Sequence, residues 1–137
     1  MTTYTRPTIV QLPKFLDSRG NLSVIQELDN VPFEIRRTYW IYDVPGGEYR
    51  GGHAFRVNRE FIVALSGSFD VRLDNGVDPV ETFSLNRSYY GLYVPPGYWR
   101  EMVNFSTNSV ALVLSSIPYT PEDYVRDRSL LPLYPND

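Results

Sequence analysis

The sequence predicts an all-β domain, folded as a barrel or a sandwich. The apolar stretches are short and rich in Val, Ile, Tyr and Phe, and 11 prolines and 9 glycines separate them at near-regular intervals. Short stretches of this composition between turn residues are typical of β-strands. With 137 residues, 42% of them apolar, the chain is long enough to bury one core and short for two. We therefore expect a single domain over residues 1–137.

Ten strands are expected in chain order. They cover residues 8–12, 22–27, 35–43, 52–57, 60–66, 68–73, 80–85, 91–94, 98–103 and 109–117. Turn sequences at 45–47, 74–76 and 95–97 separate several of them, because Gly, Pro and Asn favour the backbone angles of tight turns. One short helix is expected at 121–126, where Thr120 is a candidate N-cap and Pro121 takes the first position.

Three of these strands carry polar and aromatic side chains on a single face. Successive side chains of a strand point to opposite faces, so every second residue shares one. The three sets are Arg37, Tyr39 and Ile41; His53, Phe55 and Val57; and Tyr98, Arg100 and Met102. Mixed faces of this kind predict a lined barrel interior rather than a dry core.

Composition excludes several kinds of chemistry. There is no cysteine, so disulfides and thiolate metal sites are excluded, and His53 is the only histidine. The net charge of −3 disfavours nonspecific nucleic-acid binding. Lys14 is the only lysine among 13 cationic residues. The arginine excess fits either bidentate binding of phosphates or surface ion pairs. Without an 18-residue apolar run or a signal-peptide core, we expect a cytoplasmic protein without a membrane span.

Two segments resemble the paired motifs of the cupin superfamily. Residues 47–67 follow the pattern Gly-X5-His-X-Phe-X4-Glu-X6-Gly, and residues 91–104 follow Gly-X3-Pro-X-Gly-X2-Arg-X3-Asn. The resemblance implies a double-stranded β-helix, the jelly-roll barrel. Metal-binding cupins carry histidines where this chain has Phe55 and Arg100, so two of four ligands are replaced. Because a tight site needs three or more protein ligands, we predict no metal.

A wider resemblance links the chain to the sugar-nucleotide 3,4-ketoisomerases, the WxcM-like cupins. The matching stretches are 17–20, 37–43, 50–54, 65–68, 91–94, 99–102 and the tail 119–126, within about residues 8–128. This family moves the keto group of dTDP-4-keto-6-deoxyglucose from C4 to C3 through an enediolate, in deoxysugar biosynthesis. The resemblance implies a dTDP-linked 4-keto-6-deoxyhexose as substrate, no cofactor, and a homodimer, often formed by exchange of the N-terminal strand (here 8–12).

The chain departs from the family pattern at the position of the catalytic base. The family has His-Ala-His-Lys, and its second histidine is taken as the main base; this chain has His53-Ala-Phe55-Arg. A phenyl ring cannot accept a proton, so His53 is the candidate for the proton transfers. Arg100 and Tyr39 are the candidates to stabilise the oxyanion. Tyr39 and His53 also have a plain interpretation as packing residues of the barrel.

The remaining candidates are assigned to substrate binding, each with an open alternative. Arg37, Arg50 and Arg19 are expected either on the diphosphate or in surface ion pairs. Glu60 either orients His53 or pairs with an arginine, since a buried carboxylate needs a partner. Phe55 shapes the pocket. Trp99 stacks on the thymine or packs in the interior, on the face opposite Arg100.

Two other functions stay open. One is a protein that keeps the nucleotide-sugar pocket with lost or altered chemistry, because the usual base position is Phe55. The other is a relative of the 3,5-epimerases, metal-free cupins that act on the same sugars with a His base, an Asp partner and a Tyr acid.

Overall fold

The computed structural model describes residues 4–134 and contains twelve short strands. The ends of the expected domain, residues 1–3 and 135–137, lie outside the described residues. The strands, in chain order, are β1 (Thr8–Gln11), β2 (Lys14–Phe15), β3 (Leu22–Ser23), β4 (Arg37–Tyr42), β5 (Arg50–Phe55), β6 (Glu60–Ser66), β7 (Phe69–Asp74), β8 (Glu81–Leu85), β9 (Tyr90–Val94), β10 (Trp99–Val103), β11 (Val110–Ser115) and β12 (Tyr124–Val125). No helix among residues 4–134 is long and apolar enough to cross a membrane.

Ten of the strands form two antiparallel five-stranded sheets, with orders β1-β9-β6-β11-β4 and β12-β5-β10-β7-β8. β2 and β3 form a separate hairpin. The main core lies between the two sheets and includes Ile62, Val71, Leu92 and Val113, each at most 1% exposed. The expected jelly-roll barrel is confirmed. Its interior face is apolar at one end and polar at the other, and the polar end is where the candidate site lies.

A second cluster covers the outer face of the first sheet. Val31 and Phe33, from the irregular segment before β4, pack there against Phe61 and Tyr93. This face is therefore dry, whereas the outer face of the edge strand β4 remains exposed at Trp40.

A β-bulge sets the pairing between β5 and β10. Arg100 pairs with His53 but Glu101 pairs with Gly51, so Gly52 is the extra residue. Gly51 and Gly52 have φ angles of 94° and 76°, in the left-handed region that glycine adopts without steric cost. Bulges bend the strand and redirect neighbouring side chains. This one lies beside His53 and Arg100, two of the expected site residues.

Three local expectations require correction. The helix expected at 121–126 is a single 3-10 turn, Pro121–Asp123, which ends because Tyr124 and Val125 pair with β5. The strand expected at 22–27 is only two residues long. Val57 lies beyond the end of β5 and is 61% exposed, so it does not share the inner face with His53.

Candidate active site

An open cavity of about 670 Å³ occupies the polar end of the barrel. β4 contributes Arg37 and Tyr39 to its lining, and β5 and β10 contribute His53 and Arg100. These residues alternate with outward-facing neighbours along their strands, which is why the sequence pattern could place them on inner faces. A further strand, β6, contributes Glu60, its first residue, to the lining.

Glu60 holds the floor of the cavity together. It is fully buried, and its Oε1 accepts from Arg100 Nη1 at 2.6 Å. Tyr39 donates its hydroxyl to both carboxylate oxygens at 3.2 and 3.0 Å. Ser115 and Asn58 donate to Oε2 at 2.5 and 3.2 Å. A buried ionised carboxylate is tolerable only with partners of this kind, so the network fixes both Arg100 and Tyr39 in place.

Four buried polar nitrogens lack a protein partner among residues 4–134. They are Nε of Arg37, Nδ1 of His53, and Nε and Nη2 of Arg100. All three residues line the same cavity. Unpartnered buried donors are costly and rare in native structures. Their concentration here indicates a cavity built to bind a ligand rich in acceptor oxygens.

His53 lies among aromatic rings and arginines. Its ring centroid is 4.9 Å from that of Phe55 and 4.9 Å from that of Tyr124. Burial, followed by the positive charges of Arg100, Arg126 and Arg37, lowers the pKa of His53 to about 3. The imidazole is therefore neutral at neutral pH and free to accept a proton.

The pKa of Tyr39 is raised, whereas that of His53 is lowered. Burial and then the negative charge of Glu60 raise the pKa of its phenol well above the ordinary value of 10.0. Tyr39 thus stays protonated and acts as a hydrogen-bond donor, not as a base.

Phe55 is a packing residue beneath Arg100. It is 1% exposed, and the guanidinium carbon of Arg100 lies 4.8 Å from its ring centroid. Its ring also contacts that of Tyr124 at 4.6 Å. The phenyl group therefore forms a cation–π contact with the arginine instead of presenting a base.

The rim of the cavity is cationic. Arg37, Arg50 and Arg126 all line it, and the last two form no ion pair among the described residues. Arg37 lies 3.7 Å from Glu60, a carboxylate already shared with Arg100. Unneutralised arginines at a cavity rim favour an anionic ligand, above all a phosphate.

Comparison with known proteins agrees with this geometry. The family model described as "WxcM-like, C-terminal" (FdtA) matches residues 5–131. The chain belongs to the WxcM-like FdtA family. It is 42% identical over 118 residues to the TDP-4-oxo-6-deoxy-alpha-D-glucose-3,4-oxoisomerase of Aneurinibacillus thermoaerophilus, covering 86% of this chain and 84% of that protein.

Solved structures of FdtA-like proteins superpose closely on this chain. A 3,4-ketoisomerase from Helicobacter canadensis has a TM-score of 0.90 and 34% identity, covering 98% of this chain and 100% of that one. A mutant of the 3,4-ketoisomerase QdtA from Thermoanaerobacterium thermosaccharolyticum, in complex with TDP-4-keto-6-deoxyglucose, has a TM-score of 0.89 and 30% identity. The match covers 93% of this chain and 92% of that one.

Most of the residues expected at the site of this FdtA-family chain meet at the cavity. Arg37, Tyr39, Arg50, His53, Glu60 and Arg100 line it, and Phe55 lies directly behind. The structure decides between the two roles of Glu60, because its partners are Arg100 and Tyr39 rather than His53.

Besides Phe55, two expected residues do not line the cavity. Trp99 is 8% exposed and packs with Leu131 and Leu133 on the other side of β10, which favours its packing role over thymine stacking. The alternation of the strand is the reason, since Arg100 faces inward. Arg19 lies near the β2–β3 hairpin, where its side chain is 89% exposed and pairs with Asp17 at 2.8 Å.

Sequence reasoning missed the contribution of the tail. Tyr119, Tyr124 and Arg126 line the cavity because β12 pairs with β5. In the sequence, the tail 119–126 belongs to the stretches that resemble the 3,4-ketoisomerases, and the resemblance implies no role for its individual residues. No group of three or more His, Asp or Glu side chains within 4–134 is arranged to hold a metal ion.

Proposed function

We propose that this chain is a 3,4-ketoisomerase acting on dTDP-4-keto-6-deoxyglucose, which is also called TDP-4-keto-6-deoxyglucose. The observation that carries the proposal is the set of unpartnered nitrogens of His53, Arg37 and Arg100 beneath a rim of arginines. They offer a neutral base, an oxyanion site and a diphosphate site in one cavity. The family and its 42% identical oxoisomerase relative support the same reaction.

The isomerisation moves two protons and no other atoms. In the first step the base takes the proton from C3, and the electron pair forms a C3–C4 double bond while the C4 carbonyl oxygen becomes an oxyanion. In the second step C4 receives a proton, the proton of the C3 hydroxyl passes to the C4 oxyanion, and a carbonyl forms at C3. His53 is the proposed proton carrier, because it is the neutral imidazole of the cavity.

Oxyanion stabilisation falls to Arg100 and Tyr39. The Glu60 network fixes the Arg100 side chain before substrate arrives, so this cation needs no reorganisation when the charge develops. Arg100 keeps two unpartnered nitrogens, Nε and Nη2, for the sugar oxygens. Tyr39 remains protonated because its pKa is raised, but its single hydroxyl proton is donated to Glu60, so Tyr39 serves the oxyanion only by exchanging that acceptor for the sugar oxygen.

Substrate charge makes His53 a better base than it is in the empty cavity. Part of its low pKa comes from Arg100, Arg126 and Arg37. A diphosphate on Arg37, Arg50 and Arg126 and an enediolate on Arg100 would offset these cations. This offset raises the pKa of His53 in part, because burial, the largest cause of its lowering, remains.

The test follows the sugar protons in deuterated water. The chain is incubated with dTDP-4-keto-6-deoxyglucose while C3 and C4 are observed by NMR. The proposal expects deuterium incorporation and a new ketone at C3. Binding of dTDP without any exchange or new ketone rejects the isomerase. Exchange that survives His53→Asn shows instead that another group is the base.

One observation favours a second function, a dTDP-sugar-binding protein with lost or altered chemistry. Phe55 stands at the usual base position, buried against His53, Tyr124 and Arg100. Under this alternative the sugar nucleotide binds, but the NMR experiment detects neither exchange nor isomerisation. A 3,5-epimerase activity would instead give deuterium at C5 as well as at C3.

The homodimer expected from the family is part of the proposal. β4 is an edge strand whose outer face exposes Trp40 and Tyr42, at 58% and 61%. β1 pairs with β9 within this one chain, and strand exchange would form the same pairing with a second copy. A substrate contact of Arg19 requires such a copy, since Arg19 does not line its own cavity. Light scattering after size-exclusion chromatography tests the dimer, and cell fractionation tests the cytoplasmic location.

A further inference from the structure

We propose that Asp123 is a positioning residue for substrate, locking the tail segment that carries Tyr124 and Arg126 into place as one wall of the cavity. The inference rests on the proposed function for the identity of the ligand, a nucleoside diphosphate sugar. Asp123 does not line the cavity itself, so it acts through the two residues that follow it.

The carboxylate of Asp123 binds the turn between β5 and β6. Its Oδ1 accepts from the amide of Val57 at 2.9 Å, and its Oδ2 accepts from the amide of Asn58 at 3.0 Å. Its backbone carbonyl accepts from the amide of Arg56 at 3.0 Å. Asp123 is 7% exposed and forms no ion pair within residues 4–134. Backbone N–H donors therefore satisfy its carboxylate, which makes both bonds charge-assisted.

The segment held by this contact has a few further contacts: Val125 is buried in a cluster with Ala54 and Trp99, and the Tyr124 ring packs against those of His53 and Phe55. β12 is a two-residue edge strand that pairs only with Phe55 and Ala54. Of its two residues, Val125 is buried and Tyr124 is half-buried. An edge pairing of this length buries too little surface to be stable alone. The two bonds of Asp123 lie directly before it in sequence and are the natural anchor.

What the anchor holds in place is the wall facing His53. The Tyr124 ring lies 4.9 Å from that of His53, and the guanidinium carbon of Arg126 lies 4.6 Å from the centroid of the Tyr124 ring. Arg126 also contributes to the low pKa of His53, which shows that its charge reaches the base. If the anchor is lost, one of the three rim cations and one aromatic wall leave their fixed positions together.

The same turn connects the anchor to the floor of the cavity. Asn58 donates its backbone amide to Asp123 and is 1% exposed. Its side-chain nitrogen Nδ2 donates to Glu60 at 3.2 Å. Its side-chain oxygen accepts from the amide of Ser116 at 3.0 Å. Because Asn58 is held by Ser116 as well, the floor keeps its geometry when Asp123 is changed. The wall should therefore loosen before the floor does.

This difference predicts binding loss without loss of chemistry. The variants are Asp123→Asn, which keeps one acceptor oxygen, and Asp123→Ala, which keeps none. The control is Asp127→Asn, because Asp127 also accepts a backbone amide in a 3-10 turn, but that amide belongs to Ser129 and not to the turn between β5 and β6. Each is compared with the unaltered chain by calorimetric titration with dTDP and by steady-state kinetics.

We expect Asp123→Ala to weaken dTDP binding and to raise KM by about tenfold, the equivalent of one charge-assisted hydrogen bond. kcat should stay within about threefold, and Asp123→Asn should fall between Asp123→Ala and the unaltered chain. Asp127→Asn should leave both values unchanged. Should Asp123→Ala fail to fold, Asp123→Asn decides alone.

Two results overturn the inference. One is unchanged dTDP affinity in a folded Asp123 variant, and the other is a fall in kcat with KM unchanged. Failure of the proposed function is a different outcome: the unaltered chain then fails to bind dTDP, or binds it without isomerising the sugar. In the latter case the calorimetric comparison still tests Asp123.

Discussion

Replacing Glu60 by glutamine should be among the most destabilising single changes in this protein. The substitution keeps the size of the side chain but removes its charge. Arg100, whose Nη1 lies 2.6 Å from Glu60, then remains buried without a counter-ion. The two side chains are 2% and 1% exposed, so water replaces the lost partner poorly. Tyr39 and Ser115 lose a charged acceptor in the same step.

The magnitude follows from the burial of the pair. Removing one partner of a buried ion pair costs about 3–5 kcal/mol of unfolding free energy, a large share of the roughly 5–15 kcal/mol of a typical domain. For a chain of this length the melting temperature should fall by roughly 10 °C. A double replacement, Glu60→Leu with Arg100→Met, should recover part of the loss, because it leaves no buried charge.

Urea unfolding at pH 7 measures the change, with the midpoint giving the loss and the slope confirming a two-state transition. The control is Glu34→Gln, since Glu34 pairs with Arg36 at 3.6 Å where both side chains are more than half exposed. Surface pairs contribute about 0–1 kcal/mol. If Glu60→Gln costs no more than Glu34→Gln, the network does not hold the cavity floor as described.

Three further predictions concern the same cavity. His53→Asn should abolish deuterium exchange at C3 while dTDP binds within about threefold of the original affinity, by NMR and calorimetry. Because the pKa of His53 is lowered to about 3 from 6.5, the unfolded chain takes up the proton first. The contribution of the neutral His53 to stability is thus complete above pH 6.5 and is lost as the pH falls toward 3. In thermal melts, the melting temperature of His53→Asn should therefore fall less over this interval than that of the unaltered chain. Phe55→His should lower both thermal stability and kcat, since the phenyl ring packs against Arg100, and a gain in kcat would contradict this. Gly51→Ala should reduce stability and activity together, because a Cβ there would lie 2.8 Å from the Arg100 carbonyl oxygen at a φ of 94°; an unchanged melting temperature would show that the bulge can relax.

Much of the site was accessible from sequence because strand alternation is a local property. The period of two placed Arg37, Tyr39 and Ile41 on one face, and all three line the cavity. The same rule placed Trp99 opposite Arg100, where the structure has it packed away from the cavity. The cupin-like spacing predicted the barrel, since Gly47, Gly67 and Gly97 lie in connections between strands, whereas Gly91 lies within β9.

The tertiary structure alone decided which side chains meet. Pairing of β12 with β5 turned an expected helix into a cavity wall, because strand pairing depends on a partner some 70 residues away. Register also selected Arg100 and Tyr39, not His53, as the partners of Glu60. The sequence by itself determined the jelly-roll fold, the inward faces and the single imidazole. The tertiary structure decided which of these groups form ion pairs and hydrogen bonds. The distances across the barrel depend on strand register and on the bulge at Gly51 and Gly52.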